Sequence, residues 1–279
     1  MRRGPRPGAH RKRRSAAPVG ERATASHGLA RVLSKRGACS RSQAEALVRA
    51  GRVSVAGRVC TDPERRTALD ADDLAIDGLA LAPPAPVYLA LNKPRGLVTS
   101  RSDERGRDTV YACLADAGLP WLAPVGRLDR ASEGLLLFSN DSAWAARVSA
   151  PGHGLHKTYH VQVDRVPDPA LLDRLRAGID DDGERLLAVS VECLRSGGRT
   201  AWLEIVLDQG RNRQIRRMLT ACGVQVMRLV RVAIGPVRLG ELGKGCWRLL
   251  APAEREALAS PGGAMPGAGP TAPDQPLAL

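Results

Sequence analysis

The run Leu135-Leu136-Leu137-Phe138 narrows the choice of fold more than any other stretch of this chain. Four consecutive large apolar residues leave no side for water, so the spacing predicts a buried strand over 134–139. What precedes it is odd for the lip of such a strand: Gly126-Arg127-Leu128-Asp129 at a turn, then Glu133-Gly134. A solvated turn rarely needs an Arg and an Asp two residues apart in that place, whereas an active site often does. A carboxylate at Asp129 would be partly desolvated and would need a cationic or hydrogen-bonding partner to remain ionised.

Partners are offered much later, in the stretch DQGRNRQIRRMLTACG, residues 208–223. It follows a strand expected at 201–207, where Trp202, Glu204 and Val206 alternate, and it turns at Gly210. A helix then spans 214–222 and ends at Gly223. Arg213 and Arg217 share a face of that segment and Arg216 is three from Arg213, so these cations are placed to meet Asp129 or an anionic partner. Further strands are expected at 158–164 and in YLALNKPRGLVTS, which closes in a Lys-Pro-Arg-Gly turn; helices are expected at 142–149 and 169–177. Strands and helices mix without a regular βαβ period and G-x-G-x-x-G is absent. The expected class is α+β, with a mixed, largely antiparallel sheet.

The chain ahead of this domain has another character. Residues 1–26 hold Arg and Lys among Pro, Gly, Ala and Ser and read as a disordered basic arm. Leu29, Val32 and Leu33 then recur at helical spacing before Gly37. Ser42-Gln-Ala-Glu45 has the capping-box pattern for a second helix, and Val53 to Val59 alternates as a hairpin. Arg31, Lys35, Arg36, Arg41, Arg49 and Arg52 are the expected exposed cations of this small α-rich unit. Residues 76–86 read as a linker, 87–255 as the catalytic domain, and 256–279 as a disordered Pro/Gly/Ala tail.

Composition points the same way. Forty-two Lys and Arg against 29 Asp and Glu give +13, which suits a polyanionic partner whose phosphates release counterions on contact. No apolar run approaches the ~20 residues of a membrane span, and no secretory core opens the chain, so a cytoplasmic protein without membrane contact is expected. The six cysteines are scattered and the five histidines show no ligand spacing beyond His153-x-x-His156. Free thiols and no metal are expected.

Two resemblances sharpen the reading. LARVLSKRGACSRSQAEALVRAGRVSVAGRV resembles the alpha-L RNA-binding module, over about residues 27–75. GRLDRASEGLLLFSND, KTYHV, QGRNRQIRRM and RLVRVAIGPVRLGEL, taken in order, resemble the ribosomal RNA pseudouridine synthases of the family named for ribosomal small-subunit pseudouridine synthase A. The last two blocks look more like its large-subunit members. The resemblance implies isomerisation of uridine to pseudouridine in ribosomal RNA or an assembly intermediate, by a monomer that needs no cofactor. It also implies roles: Asp129 as the catalytic aspartate, Tyr159 stacked on the uracil and handling protons, Arg216 paired with the aspartate, and Leu229 lining the base pocket. Phe138 and His160 fall at variable positions. Arg127, Arg130, Arg211, Arg213 and Arg217 are expected on RNA. The aspartate could attack C1′ or the pyrimidine ring, or act on the 2′ hydrogen; the sequence leaves these routes open. The target base must leave its stack, at a cost of a few kcal/mol that backbone contacts would offset.

Two other functions fit parts of the pattern. A non-catalytic RNA-binding or ribosome-assembly protein would need only the module and the charge. A glycosidic-bond hydrolase would pair Asp129 with Glu133 across a sugar at a defined separation. Taken alone, Tyr159 is also compatible with a half-buried strand aromatic and Asp129 with a turn cap.

Overall fold

The computed structural model describes residues 26–263 except 69–70, 72, 83–84, 102 and 116. The basic arm through residue 25 and the tail from 264 lie outside the described residues.

The N-terminal unit begins with β1 (Ser26–Gly28), α1 (Leu29–Lys35) and α2 (Arg41–Arg49). Short strands follow: β2 (Val53–Val55), β3 (Arg58–Cys60), β4 (Arg66–Ala68), β5 (Leu74–Ile76) and β6 (Leu79–Ala80). Leu29, Val32 and Leu33 of α1 meet Ala44 and Val48 of α2 and Val53 of β2 in a small core. The capping box is real but sits two residues earlier than the sequence suggested. Ser40 accepts from the Gln43 backbone N–H and the Gln43 side chain accepts from the Ser40 N–H, while Glu45 instead pairs with Arg41 and Arg49. The unit also outlasts residue 75, because β5 and β6 complete the four-stranded sheet β3-β2-β5-β6.

The larger unit starts at β7 (Tyr88–Lys93) and continues through β8 (Ala123–Val125), β9 (Glu133–Ser139), α3 (Ser142–Ser149) and β10 (Lys157–Val163). Then come α4 (Pro169–Ala177), the hairpin of β11 (Ile179–Asp181) and β12 (Glu184–Leu186), β13 (Ser190–Ser196) and β14 (Ala201–Leu207). The chain closes with α5 (Gln214–Ala221), β15 (Val226–Ile234), β16 (Val237–Arg238), β17 (Trp247–Leu249) and α6 (Pro252–Ala259). Ala257 and Leu258 are buried, so packed chain extends past residue 255.

One sheet, ordered β13-β14-β10-β15-β9-β7-β17, runs through this unit, with β8 on β9 and β16 on β15. Every pairing is antiparallel except β9 with β15. Its two faces explain the apolar run. Leu136 and Phe138 enter one core while Leu135 and Leu137 enter another that also holds Trp144 of α3 and Leu258 of α6. A strand buried on both faces has no polar positions to alternate. All four side chains are fully buried, each contributing about 1.5–3 kcal/mol.

The pairing of β9 determines where the sheet opens. Along one edge, Glu133 and Gly134 pair with β15, whereas Leu137 to Ser139 pair with β8. Leu135 lies at the fork between these partners, and its carbonyl accepts from Arg231 Nε at 2.7 Å. Gly134 has φ +99°, and a Cβ there would lie 2.3 Å from the Arg231 carbonyl oxygen. Only glycine permits so close an approach of two backbones.

Candidate active site

A cleft of about 450 Å³ opens at this fork, bounded by the loop after β8, by β10 and β15, and by the first turn of α5. Asp129, Tyr159, Arg216 and Leu229, which come from four separated blocks of sequence, all line it.

Asp129 is positioned through its main chain. The carbonyls of residues 128–132 are all engaged in turn: Leu128 accepts from Thr99 Oγ1 (2.7 Å), Asp129 from the Ser132 N–H (3.0 Å) and Arg130 from the Gly96 N–H (2.7 Å). Ala131 accepts from Arg216 Nη2 (3.1 Å) and Ser132 from Lys93 Nζ (2.8 Å). Lys93 is fully buried and also donates to the Pro94 carbonyl. Burial pulls its ammonium down to about 8, against the opposing pull of Glu133 and Asp129. The Lys-Pro-Arg-Gly turn therefore has a structural use: its strand end and turn hold the Asp129 loop from below.

Arg216 does not take the role expected for it. Its hydrogen bond goes to the Ala131 carbonyl, its buried Nε has no partner among the described residues, and the cation bonded to Asp129 is Arg213, at 3.5 Å. Burial lowers the Arg216 guanidinium, Arg213 and Arg95 add to this, and Asp129 opposes it. Arg213 owes its reach to the loop: it precedes α5 in the left-handed region, φ +49°, a conformation costly for a residue with a Cβ. Gln214 holds the same loop, accepting from the Arg211 N–H and donating to the Leu187 carbonyl.

The other expected RNA ligands divide. Arg127, Arg211 and Arg213 line the cleft, and Arg130 is exposed beside it. Arg217 is turned away, bound to Asp181 and Glu184 of the β11–β12 hairpin at 2.5 and 2.6 Å. In the N-terminal unit Arg31, Arg41 and Arg49 are exposed, while Lys35 lies 3.0 Å from His27. Arg36 contradicts the expectation of a surface cation: it is buried, and its guanidinium donates to the Ala71 and Leu81 carbonyls. Its spacing from Val32 and Leu33 places it on the inner face of α1.

Glu133 is no second acid for the cleft. It is buried, paired with Arg228 at 3.1 Å and with Lys244 at 3.2 Å. Burial alone would raise its carboxyl, but these two cations outweigh that and hold it low. The carboxylate pair that a glycosidic-bond hydrolase would use is therefore not assembled here. Two cations that the sequence reading passed over, Lys157 and Arg231, do line the cleft. Lys157 stands two residues before Tyr159 and so on the same side of β10, a period-two signal that was available.

A mixed α+β sheet opened at a fork, with one acid among many cations and a separate basic helical unit ahead of it, points to an enzyme that works on a polyanion. Comparison with known proteins makes this specific. Residues 87–221 match the family described as RNA pseudouridylate synthase, and residues 28–67 match the S4 domain. An RNA pseudouridine synthase of Mycobacterium leprae is 38% identical over 226 residues, covering 80% of this chain and 88% of the relative. Ribosomal large subunit pseudouridine synthase B of Bacillus subtilis is 34% identical over 233 residues, covering 82% and 94%. A solved pseudouridylate synthase superposes with a TM-score of 0.59 at 28% identity, over 84% of this chain and 100% of that one. The chain belongs to the RNA pseudouridylate synthase family.

Proposed function

We propose that this protein isomerises a particular uridine of large-subunit ribosomal RNA to pseudouridine, with Asp129 as the reacting carboxylate. The observation that carries the reading is the cleft itself: Asp129 is the only acid among its lining residues, set on a loop whose five consecutive carbonyls are all bonded. Such a loop holds the carboxylate at a fixed place before substrate arrives, which is what proximity catalysis needs. The ribosomal substrate is supported by the S4 domain, by the net charge of +13 and by the similarity to the Bacillus subtilis large-subunit enzyme.

The chemistry breaks the bond from ribose C1′ to N1, turns the uracil and joins C1′ to C5; the C5 proton is lost to solvent and one proton is taken up at N1. Every other atom stays in the RNA, and no electron is gained or lost, so the reaction needs no cofactor. Attack at C1′, attack on the ring and removal of the 2′ hydrogen each require one carboxylate beside the nucleoside. Tyr159, on β10, packs beside the uracil and assists loss of the C5 proton; Leu229, opposite Val161 on β15, forms the apolar wall. Arg213 orients the carboxylate directly, and Arg216 acts through the backbone of the loop. The S4 domain and the exposed arginines supply affinity and register. On this reading the protein works as a monomer in the cytoplasm.

The test is tritium release from ribosomal RNA labelled at uracil C5, with the wild type and Asp129→Asn, and with free uracil measured alongside. The wild type releases tritium without free uracil from large-subunit RNA, and the variant is slower by about 10⁴-fold or more. Binding without release, on both subunit RNAs and their assembly intermediates, would instead support an RNA-binding or assembly protein.

A further inference from the structure

Charge in the cleft is badly unbalanced. Arg127, Lys157, Arg211, Arg213, Arg216 and Arg231 line it, against the single carboxylate of Asp129, which is engaged by Arg213. The imbalance is sharpest at the inner end, around Arg231. This residue is 6% exposed; its Nε is committed to the Leu135 carbonyl at the fork, and its buried Nη2 has no hydrogen-bond partner among the described residues. Register places Arg231 opposite Tyr159 across β10 and β15.

Lys157 stands on the same side of β10 as Tyr159 and adds a second charge there. Its Nζ donates to the Asp208 carbonyl at 3.2 Å, which satisfies one of its three protons and none of its charge. Burial lowers its ammonium and Arg231 lowers it further, while the Asp208 carboxylate opposes both. Two desolvated cations held near each other repel and cost free energy unless an anion joins them. Asp129, the only acid lining the cleft, is taken by Arg213, and Asp208, outside the lining, acts on Lys157 alone, so no acid joins the two.

Resting on the reading of this cleft as the uridine site, we propose that Lys157 and Arg231 seat a backbone phosphate of the RNA strand, one flanking the uridine that enters. A phosphodiester carries the missing charge and offers two acceptor oxygens for charge-assisted bonds, to the free Arg231 Nη2 and to the Lys157 ammonium. A uracil carbonyl could take a hydrogen bond but would leave both charges uncompensated. The seat separates two tasks: Asp129 and Tyr159 meet the nucleoside, while Lys157 and Arg231 hold the backbone so that the flipped nucleotide stays in register. Arg231 is both the stitch at the fork and half of the seat, so Lys157 is the cleaner residue to change.

The test is a cycle between protein and RNA, using a fragment around the modified uridine, located by carbodiimide treatment and primer extension of the RNA that releases tritium. The phosphates on either side of that uridine are replaced, one at a time, by a neutral methylphosphonate. The affinity of wild type, Lys157→Gln and Lys157→Arg is measured over a range of salt, with kcat and KM alongside. One neutral linkage weakens binding to the wild type about 10- to 30-fold and has little further effect on Lys157→Gln. That variant shows the loss in KM rather than kcat, and its salt dependence is shallower by about 0.7 in log–log slope. Lys157→Arg keeps the affinity and the slope, which separates charge from packing. Independent effects of linkage and variant, or an unchanged slope, overturn the seat while the isomerase reading stands. An RNA in which the wild type isomerises no uridine overturns both.

Discussion

The two basic regions of this protein differ in what neutralises them. In the N-terminal unit three exposed arginines have acids of their own: Arg41 lies 3.3 Å from Glu45 and 3.5 Å from Glu64, Arg49 lies 3.6 Å from Glu45, and Arg52 lies 2.5 Å from Asp77. Exposed pairs of this kind are worth about 0–1 kcal/mol, so exchanging a carboxylate for a phosphate costs little. The cleft has less of a reserve: six cations face one acid there, and of the six only Arg211, 3.8 Å from Glu184, and Arg213, on Asp129, are in ion pairs among the described residues. On the proposed reading, the first region can exchange carboxylates for phosphates at little cost, whereas the second is completed only when an anion joins Lys157 and Arg231.

The strongest way to break this contrast is to spoil the cleft without touching its charges. Gly134→Ala would place a methyl group 2.3 Å from the Arg231 carbonyl, at φ +99°. We expect roughly 3–5 kcal/mol of destabilisation from strain and overpacking together, read as a lower urea midpoint with lost isomerase activity. The N-terminal unit packs in a separate core, so RNA binding at low salt should largely survive at temperatures where the variant stays folded. Activity and stability close to wild type would show that the fork between β9 and β15 does not set the cleft.

That glycine also marks how far the sequence could be read. Strand 201–207 and helices 142–149 and 169–177 form at the bounds expected from the sequence. β15, the longest strand, was legible only as a block of the family resemblance and not as a strand, because Arg228 and Arg231 interrupt its apolar pattern; both point inward, one to Glu133 and one to the fork. The capping box slipped by two residues because Ser40-x-x-Gln43 and Ser42-x-x-Glu45 satisfy the same rule. Arg36 and Arg217 were read as RNA ligands from charge alone, although the helical spacing of Arg36 from Val32 was visible. The partners of Arg217 were not, since they come from a hairpin of three-residue strands. The members of the cleft were legible as motifs. The bonds that fix Asp129 were not, since they join backbone carbonyls to Thr99, Lys93 and Arg216 across distances that no local pattern encodes.

A second, smaller effect concerns the cation that supports the loop. Lys93 titrates at about 8 in the folded protein, below the ordinary 10.5 expected of the unfolded chain. The unfolded state therefore binds more protons between these values, and stability from this residue rises with pH through that window; below about 8 both states are charged and the contribution is flat. Compared with Lys93→Met in urea melts from pH 7 to 10, the wild type should gain by at most about 1.4 kcal/mol per pH unit above pH 8. A difference that does not change with pH would mean that the ammonium is not desolvated, and the loop would then be less firmly held than its bonds suggest.

The smallest effect belongs to the surface whose charges have local partners. Replacing Arg41 and Arg49 together by Ala removes two exposed cations whose pairs are long and solvated, so stability should change by less than about 0.5 kcal/mol. RNA affinity should fall only several-fold at moderate salt, with a slope reduced by about 0.7–0.9 for each phosphate that is no longer neutralised. The rate of isomerisation at saturating RNA should stay as it was, because these residues place the RNA and do not meet the uridine. A fall in that rate would mean that the N-terminal unit helps to assemble the cleft, and the contrast between a loose grip and a fitted site would give way to a single coupled surface.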